Sequence, residues 1–419
     1  MTRPHDAPGP GVDAPAQREP LRRFLPVTLL TPALGAALGI DGGALFQILA
    51  VENLQLSPAA IGTAFGLGLL SLPVQLWAAR LPLHRARRHV QLFLWIMAAQ
   101  GLILAGLLVT GTTGVWASTA LVVTVTAEIA LSVLFATAWQ PLLSARARSA
   151  DRQRLNTFWP AVARGVLAGT LVAFSASNTA GRALILVVLA AAAATSAVLL
   201  WRVDEAPAAA PAAAVEEPTS PASIPIPMKW ILASFALLNI GALPLWLVYL
   251  DDVAWPTANL GLVAAIQTLA SVAALLAWRT TEGPLHRRAN VGVLLVLLGS
   301  LTLLAINGTV DTGAERAAVF ALTATMAGGA TYTRVALLEA AHRTVDTDNS
   351  VRSFTYLDVV ASSALQLGLF AGGMLVTASS VTDGPSPFVV FVVATTIAAT
   401  ATVIRAGHHA APITTERGR

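Results

Sequence analysis

The 419-residue sequence contains no cysteine and a single lysine, Lys229. The missing thiol excludes disulfides, thiolate metal sites and cysteine nucleophiles together. Charge is scarce as well. Asp, Glu, Lys and Arg make up 11% of the residues, against about 25% in a soluble globular chain. Catalytic signatures are absent: there is no His-Glu-x-x-His, no Gly-rich phosphate loop following a strand and no Gly-x-Ser-x-Gly elbow. Metal-dependent hydrolysis, ATP-driven work and serine hydrolysis therefore have no residues to run on. No enzyme activity, no cofactor and no metal are expected. The seven histidines (His5, His84, His89, His286, His342, His408 and His409) all fall between or beyond the apolar stretches.

What the chain does have is apolar length. It is 55% hydrophobic, with a mean hydropathy of +0.69. A helix crosses a bilayer with about 20 apolar residues. Windows of that kind begin near 24, 57, 90, 115, 156, 182, 229, 257, 290, 316, 353 and 386, which makes twelve spans of an all-α integral membrane protein. Helix-ending punctuation separates them, as at Ser57-Pro58, Gly111 to Gly114, Ser175 to Asn178 and Asn307-Gly308. One long polar break, 204–227, is too rich in Pro and Ala to pack and divides the spans six plus six. The expected organisation is a disordered tail over 1–21, a six-helix half over 22–203, a linker over 204–227, a second half over 228–406 and a tail over 407–419. Arg22-Arg23-Phe24-Leu25 faintly resembles a twin-arginine signal, but the run of spans behind it reads as an anchored first helix.

The basic residues decide the sidedness. A sequence pI near 10.3 invites nucleic acid as a partner, but these residues are scattered among apolar spans, and the positive-inside rule accounts for them better. With the N-terminus inside, Arg80, Arg85, Arg87, Arg88, Arg146, Arg148, Arg152, Arg154, Arg279, Arg287, Arg288, Arg343 and Arg352 all lie in cytoplasmic loops. Only Arg182 and Arg316, at helix edges, fall outside. Both termini are thus expected in the cytoplasm of a multi-pass cell-membrane protein.

A short repeat supports the division into halves. Pro82-Leu83-His84-Arg85 recurs 202 positions later as Pro284-Leu285-His286-Arg287, followed by Arg288. The first copy lies between spans two and three and the second between spans eight and nine. The halves are therefore parallel repeats, related by an axis along the membrane normal.

Arg87-Arg88 match the closing basic pair of the loop that major facilitator superfamily transporters carry between spans two and three, and Leu56-Ser57-Pro58-Ala59-Ala60-Ile61-Gly62 is similar to their entry into span two. Ala86 stands where that loop has its second glycine, and Leu83 where it has an aspartate. Over roughly 22–406 the chain resembles this superfamily. The resemblance implies twelve helices in two six-helix repeats, a central cavity lined by spans one, four, seven and ten, lipid contact by three, six, nine and twelve, and a monomer. It also implies a gating role for the loops holding Arg80, Arg85, Arg87, Arg88, Arg287 and Arg288. Mere topological charge is the competing reading of those loops.

Charges within the hydrocarbon cost at least about 2.5–3.5 kcal/mol each, so they face a cavity or a partner. Here they are few: Asp41 in span one, Glu128 in span four, Arg164 in span five, Arg334 in span ten and Asp358 in span eleven, with Glu339 nearer the inner face of span ten. The centres of spans three, six, nine and twelve carry none. Asp41 lies in Gly39-Ile-Asp-Gly-Gly43, on the small-residue spacing Gly35/Gly39/Gly43 that lets membrane helices approach. A carboxyl group there suits proton uptake and release; a hydrogen-bonded Asp at a kink is the structural reading. Glu128 is either a proton carrier, a counter-ion for a cationic substrate, or a partner for Arg164. Arg334, beside Tyr332, either binds an anionic group or pairs with Asp358. Asn239, Pro244 and Trp246 add an amide, a kink and an aromatic ring to span seven. The expected activity is proton-coupled export of a small, partly hydrophobic molecule across the bilayer, with no nucleic acid involved. Metabolite uptake, or a sensor or assembly role without transport, are the alternatives.

Overall fold

The computed structural model describes residues 24–27, 29, 43–78, 86–146, 158–203, 226–241, 245–255, 258–306, 310–344, 350–381 and 385–410. Asp41 with Gly35, Gly39 and Gly42, Arg80, Arg85, Pro244, most of the linker, the N-terminal tail and residues 411–419 lie outside these residues; 407–410, expected in the second tail, are helical. Everything described is helix or the turns that join helices.

The helices are numbered by span. The far end of α1 is Ala44–Ile48, continued by a π-helical turn, Leu49–Asn53. The second, α2, is Pro58–Leu67, extended through a 3-10 turn to Leu72–Ala78. Then come α3 (Ala86–Thr110), α4 (Val115–Arg146), α5 (Phe158–Ala176) and α6 (Thr179–Leu199). In the second half α7 runs Ile226–Gly241, resumes at Trp246–Tyr249 and closes in a π-helical turn, Leu250–Ala254. It is followed by α8 (Leu260–Thr280), α9 (Leu285–Ile306), α10 (Gly313–Thr344), α11 (Ser350–Ser379) and α12 (Pro387–Ala410). Among the described residues, eight of them (α3, α5 to α9, α11 and α12) are long and apolar enough to cross a membrane.

The repeat is visible in the backbone as well as in the letters. Gly43, where the outer part of α1 begins, and Leu245, where that of α7 begins, stand 202 residues apart, the offset of the basic loops. Ser57 and Asn259, the N-caps of α2 and α8, keep the same offset. Both α1 and α7 end in a short α-helical turn followed by a π-turn. The packing repeats too: α3 lies on α4 and α6 as α9 lies on α10 and α12, and α2 lies on α4 as α8 lies on α10.

Ends are capped differently on the two faces. On the face away from the linker, side chains accept from free N–H groups: Ser57 from Ala60, Asn178 from Gly181 and Asn259 from Leu262. Thr312 and Glu315 form a reciprocal capping box at α10. The Thr312 and Asp311 N–H groups hold the exposed Glu315 carboxyl below the usual glutamate range. On the linker face, arginines donate to helix-end carbonyls. Arg87 reaches Val203 at 2.8 Å and Trp201 at 3.3 Å beyond α6, and Arg288 reaches Trp278 near the end of α8. Hydroxyls within spans bond the carbonyl one turn back, as Thr124, Thr268 and Thr396 do.

Large exposed apolar side chains mark the lipid surface. They crowd α3 (Leu92, Trp95, Leu102, Ile103), α6 (Leu184, Val187, Val188) and α9 (Leu294, Leu298, Leu301, Leu304). The first part of α7 has none among the described residues. The buried residues, in contrast, form three clusters. One spans both halves at the face away from the linker and includes Phe46, Phe65, Trp246, Tyr249 and Phe388. The other two sit toward the linker face, one in each half, around Phe24, Val90 and Trp139 and around Met228, Phe235 and Leu357. Among the described residues, the halves thus share a core at one face and keep separate cores at the other.

Candidate functional site

At the shared face the halves approach through glycine. A Cβ on Gly62 of α2 would lie 2.9 Å from Gly373 Cα of α11, and one on Gly261 of α8 would lie 2.7 Å from the Leu171 carbonyl oxygen of α5. Backbones this close need residues without side chains. Ser175 of α5 also donates to Asn259 at 3.2 Å. The outer segments of α1 and α7 meet beside them. Arg182 braces the same end of the first half: it pairs with Glu52 at 2.6 Å, donates to Asn53 at 2.6 Å and to the Phe174 carbonyl at 3.1 Å. These contacts close one end of the space between the halves.

Polar groups of the spans lie around that space and within each half. Glu128 on α4 is completely buried, and Gln100 Nε2 on α3 donates to its Oε2 at 2.9 Å. The carboxyl group is therefore held between two helices of its own half. Arg164 on α5 is half-buried. In the second half Arg334 on α10 donates to Asn239 Oδ1 on α7, and Asn239 in turn donates to the Phe235 carbonyl at 2.9 Å. The repeat offset carries Glu128 of α4 to Ala330 of α10, one turn before Arg334.

Asp358 on α11 is partly buried and has no hydrogen-bond or ion-pair partner among the described residues. Trp246 is buried in the shared core, where its Nε1 donates to Thr323 at 3.0 Å and its ring stacks on Tyr249 at 5.7 Å. Tyr332 lies edge-on to Trp278, ring centroids 5.3 Å apart, and accepts from Arg288 at 3.4 Å. Arg87 is half-buried against α6, while Arg88 and Arg287 are exposed. Sequence reasoning did not single out Gln100, Asn53 or the buried Gln366, whose Nε2 donates to Ser362, and it read Arg182 only as an edge charge of the outer face. For Gln100 and Gln366 the available signal was an uncharged amide in the middle of an apolar span, which carries the same desolvation logic as a charge at lower cost.

This architecture is the major facilitator fold. The chain has TM-score 0.62 to a point mutant of the nucleoside transporter NupG, over 93% of this chain and 99% of that one, at 12% identity. It has 0.61 to a bacterial homologue of the iron transporter ferroportin in its outward-facing state, over 92% and 98%, at 15% identity. To a bacterial homologue of the human lysosomal transporter Spinster, inward-facing and unoccupied, it has 0.57 over 93% and 98%, at 14% identity. No protein-family model and no curated protein sequence matches the chain.

Proposed function

We propose that the chain is a secondary active transporter, moving a small, partly hydrophobic molecule outward by alternating access in exchange for protons. The supporting observation is the division of the core: one buried cluster joins the halves at one face, and a separate cluster stands in each half at the other. A body built this way rocks about its middle if the shared contacts part and the other face closes. Residues 204–227 then act as slack between the halves. The basic loops and the linker belong to the cytoplasmic side by charge asymmetry. Proton coupling falls to carboxyl groups within the spans. Asp358 is suited because no partner among the described residues holds its charge state, Asp41 by its glycine-lined stretch; Glu128 is the third candidate. Arg334 with Asn239 offers donors for a polar substrate group.

The test is flux in proteoliposomes with an imposed pH gradient, using ethidium as a lipophilic cationic probe and a trapped pH dye. Gradient-dependent ethidium movement accompanied by counterflow of protons is expected. Asp358→Asn and Asp41→Asn should each be assayed for loss of accumulation with binding retained. Accumulation that is indifferent to the gradient in the parent would remove proton coupling. Undiminished pumping in both variants would remove these two carboxyls from the role.

A further inference from the structure

A second cavity lies away from the space between the halves. Its floor is α10, through Ala324, Gly328 and Tyr332, and its walls are α8, through Ala273 and Ala277, and α9, through Val291 and Leu295. The volume is about 830 Å³. It is a lateral groove: α8 and α9 both pack on α10 but barely on each other. Val291 and Leu295, 55% and 40% exposed, belong to the apolar stripe that α9 turns to lipid with Leu294 and Leu298. The floor from Ala324 to Tyr332 is about 12 Å long at 1.5 Å per residue. Small side chains keep it deep, since Gly329 approaches α9 so closely that a Cβ would lie 2.6 Å from the Gly292 carbonyl oxygen.

The groove is polar at one end only. Where it reaches the linker face it is lined by Arg287, Arg288 and Glu282. Arg288 is fixed there: it donates to the Trp278 carbonyl and the Tyr332 hydroxyl, and its guanidinium lies over the Trp278 ring. Arg287 and Glu282 are exposed beside it. The mouth carries two positive charges against one negative. A slot of alanine and glycine that ends in a net positive mouth at the depth of the headgroups matches one molecule in its surroundings: a lipid with an apolar chain and an anionic head.

We propose that this groove binds one anionic phospholipid. Its acyl chain lies along α10 between α8 and α9, its phosphate meets Arg287 and Arg288, and headgroup hydroxyls donate to Glu282. The inference requires only that the chain spans a membrane and is independent of what it transports. Occupancy fills the gap between α8 and α9 and so ties together three helices of the second half.

Binding is read by native mass spectrometry and thermal unfolding of the delipidated protein, titrated with phosphatidylglycerol, phosphatidylethanolamine and phosphatidylcholine of identical chains, and with inorganic phosphate. One bound phosphatidylglycerol per chain and a raised unfolding temperature are expected, with little effect of the other three. R287Q should bind it about fivefold more weakly, which is the roughly 1 kcal/mol of an arginine near an anionic surface. A273W fills the slot from an exposed position and should abolish binding, while its unfolding temperature without lipid reports that it has folded. Equal response to all three lipids would mean an unspecific annulus and overturn the proposal. A preference for phosphatidylethanolamine would assign a zwitterionic head, and a response to phosphate alone a soluble-anion site; either outcome overturns it as well. So would unchanged binding in both variants.

Discussion

At the scale of single residues, Glu128 sets the sharpest question. Its carboxyl is wholly enclosed, and Gln100 reaches it from α3. A buried charge without hydrogen bonds costs several kcal/mol, so the amide is part of what makes the acid tolerable. Gln100→Leu removes that donor in a buried site and should cost about 1–3 kcal/mol, read as a lower unfolding temperature in detergent. Glu128→Gln keeps an acceptor oxygen for Gln100 and should unfold near the parent temperature. If Glu128 carries a coupled proton, the same variant loses gradient-driven flux while remaining folded. If the acid is structural, flux persists. A large drop in unfolding temperature for Glu128→Gln, with none for Gln100→Leu, would contradict this account of the pair. The sequence placed Glu128 in a span and left its direction open between a cavity and α5. The neighbour it meets through Gln100 is on α3, whose centre carries no charge and which a search for intramembrane charges passes over.

At the scale of helices, close approach takes the place of the hydrophobic effect, which cannot distinguish one apolar helix from another in lipid. Gly373 on α11 meets α2 so tightly that an added Cβ would lie 2.5 Å from the Pro58 carbonyl oxygen and 2.7 Å from Gly62 Cα. Both neighbours are backbone and cannot rotate aside. Gly373→Ala should therefore push α2 and α11 apart and weaken the seal between the halves, at a cost of about 1–3 kcal/mol. Spin labels on single cysteines at Thr113 and Val381, exposed on the sealed face in different halves, give the distance directly. A longer or broader distribution in Gly373→Ala is expected; an unchanged one would mean that the seal does not depend on this crossing. Spans and breaks were legible because each apolar window must be about 20 residues long, and caps such as Ser57-Pro58 and Asn259 stand where the windows begin. The partner of each helix was not legible. Glycines of α2 and α11 lie about 300 residues apart in the chain, and nothing in either segment names the other.

At the scale of the whole molecule, two independent readings converge on one repeat. The letters Pro-Leu-His-Arg recur at an offset of 202, and so do the N-cap of the outer segment of the first helix in each half and the N-cap of the second. Parallel halves place both basic loops on one face. The arginines there have a local task that the sequence could not supply, since Arg87 and Arg288 bond to the ends of different helices, α6 and α8. Which face is cytoplasmic is a separate matter, governed by the cost of moving arginine-rich loops across the bilayer. The chain has no cysteine, so single replacements are clean reporters. Thr113→Cys sits in the exposed turn between α3 and α4, and Glu282→Cys in the exposed turn between α8 and α9, on opposite faces. In intact cells an impermeant maleimide should label Thr113→Cys and leave Glu282→Cys unmodified until the membrane is opened. The reverse pattern would invert the orientation while preserving the repeat. Labelling of both from outside would place the two turns on one face, which the alternation of α4 to α8 forbids, and would overturn the twelve-span arrangement itself.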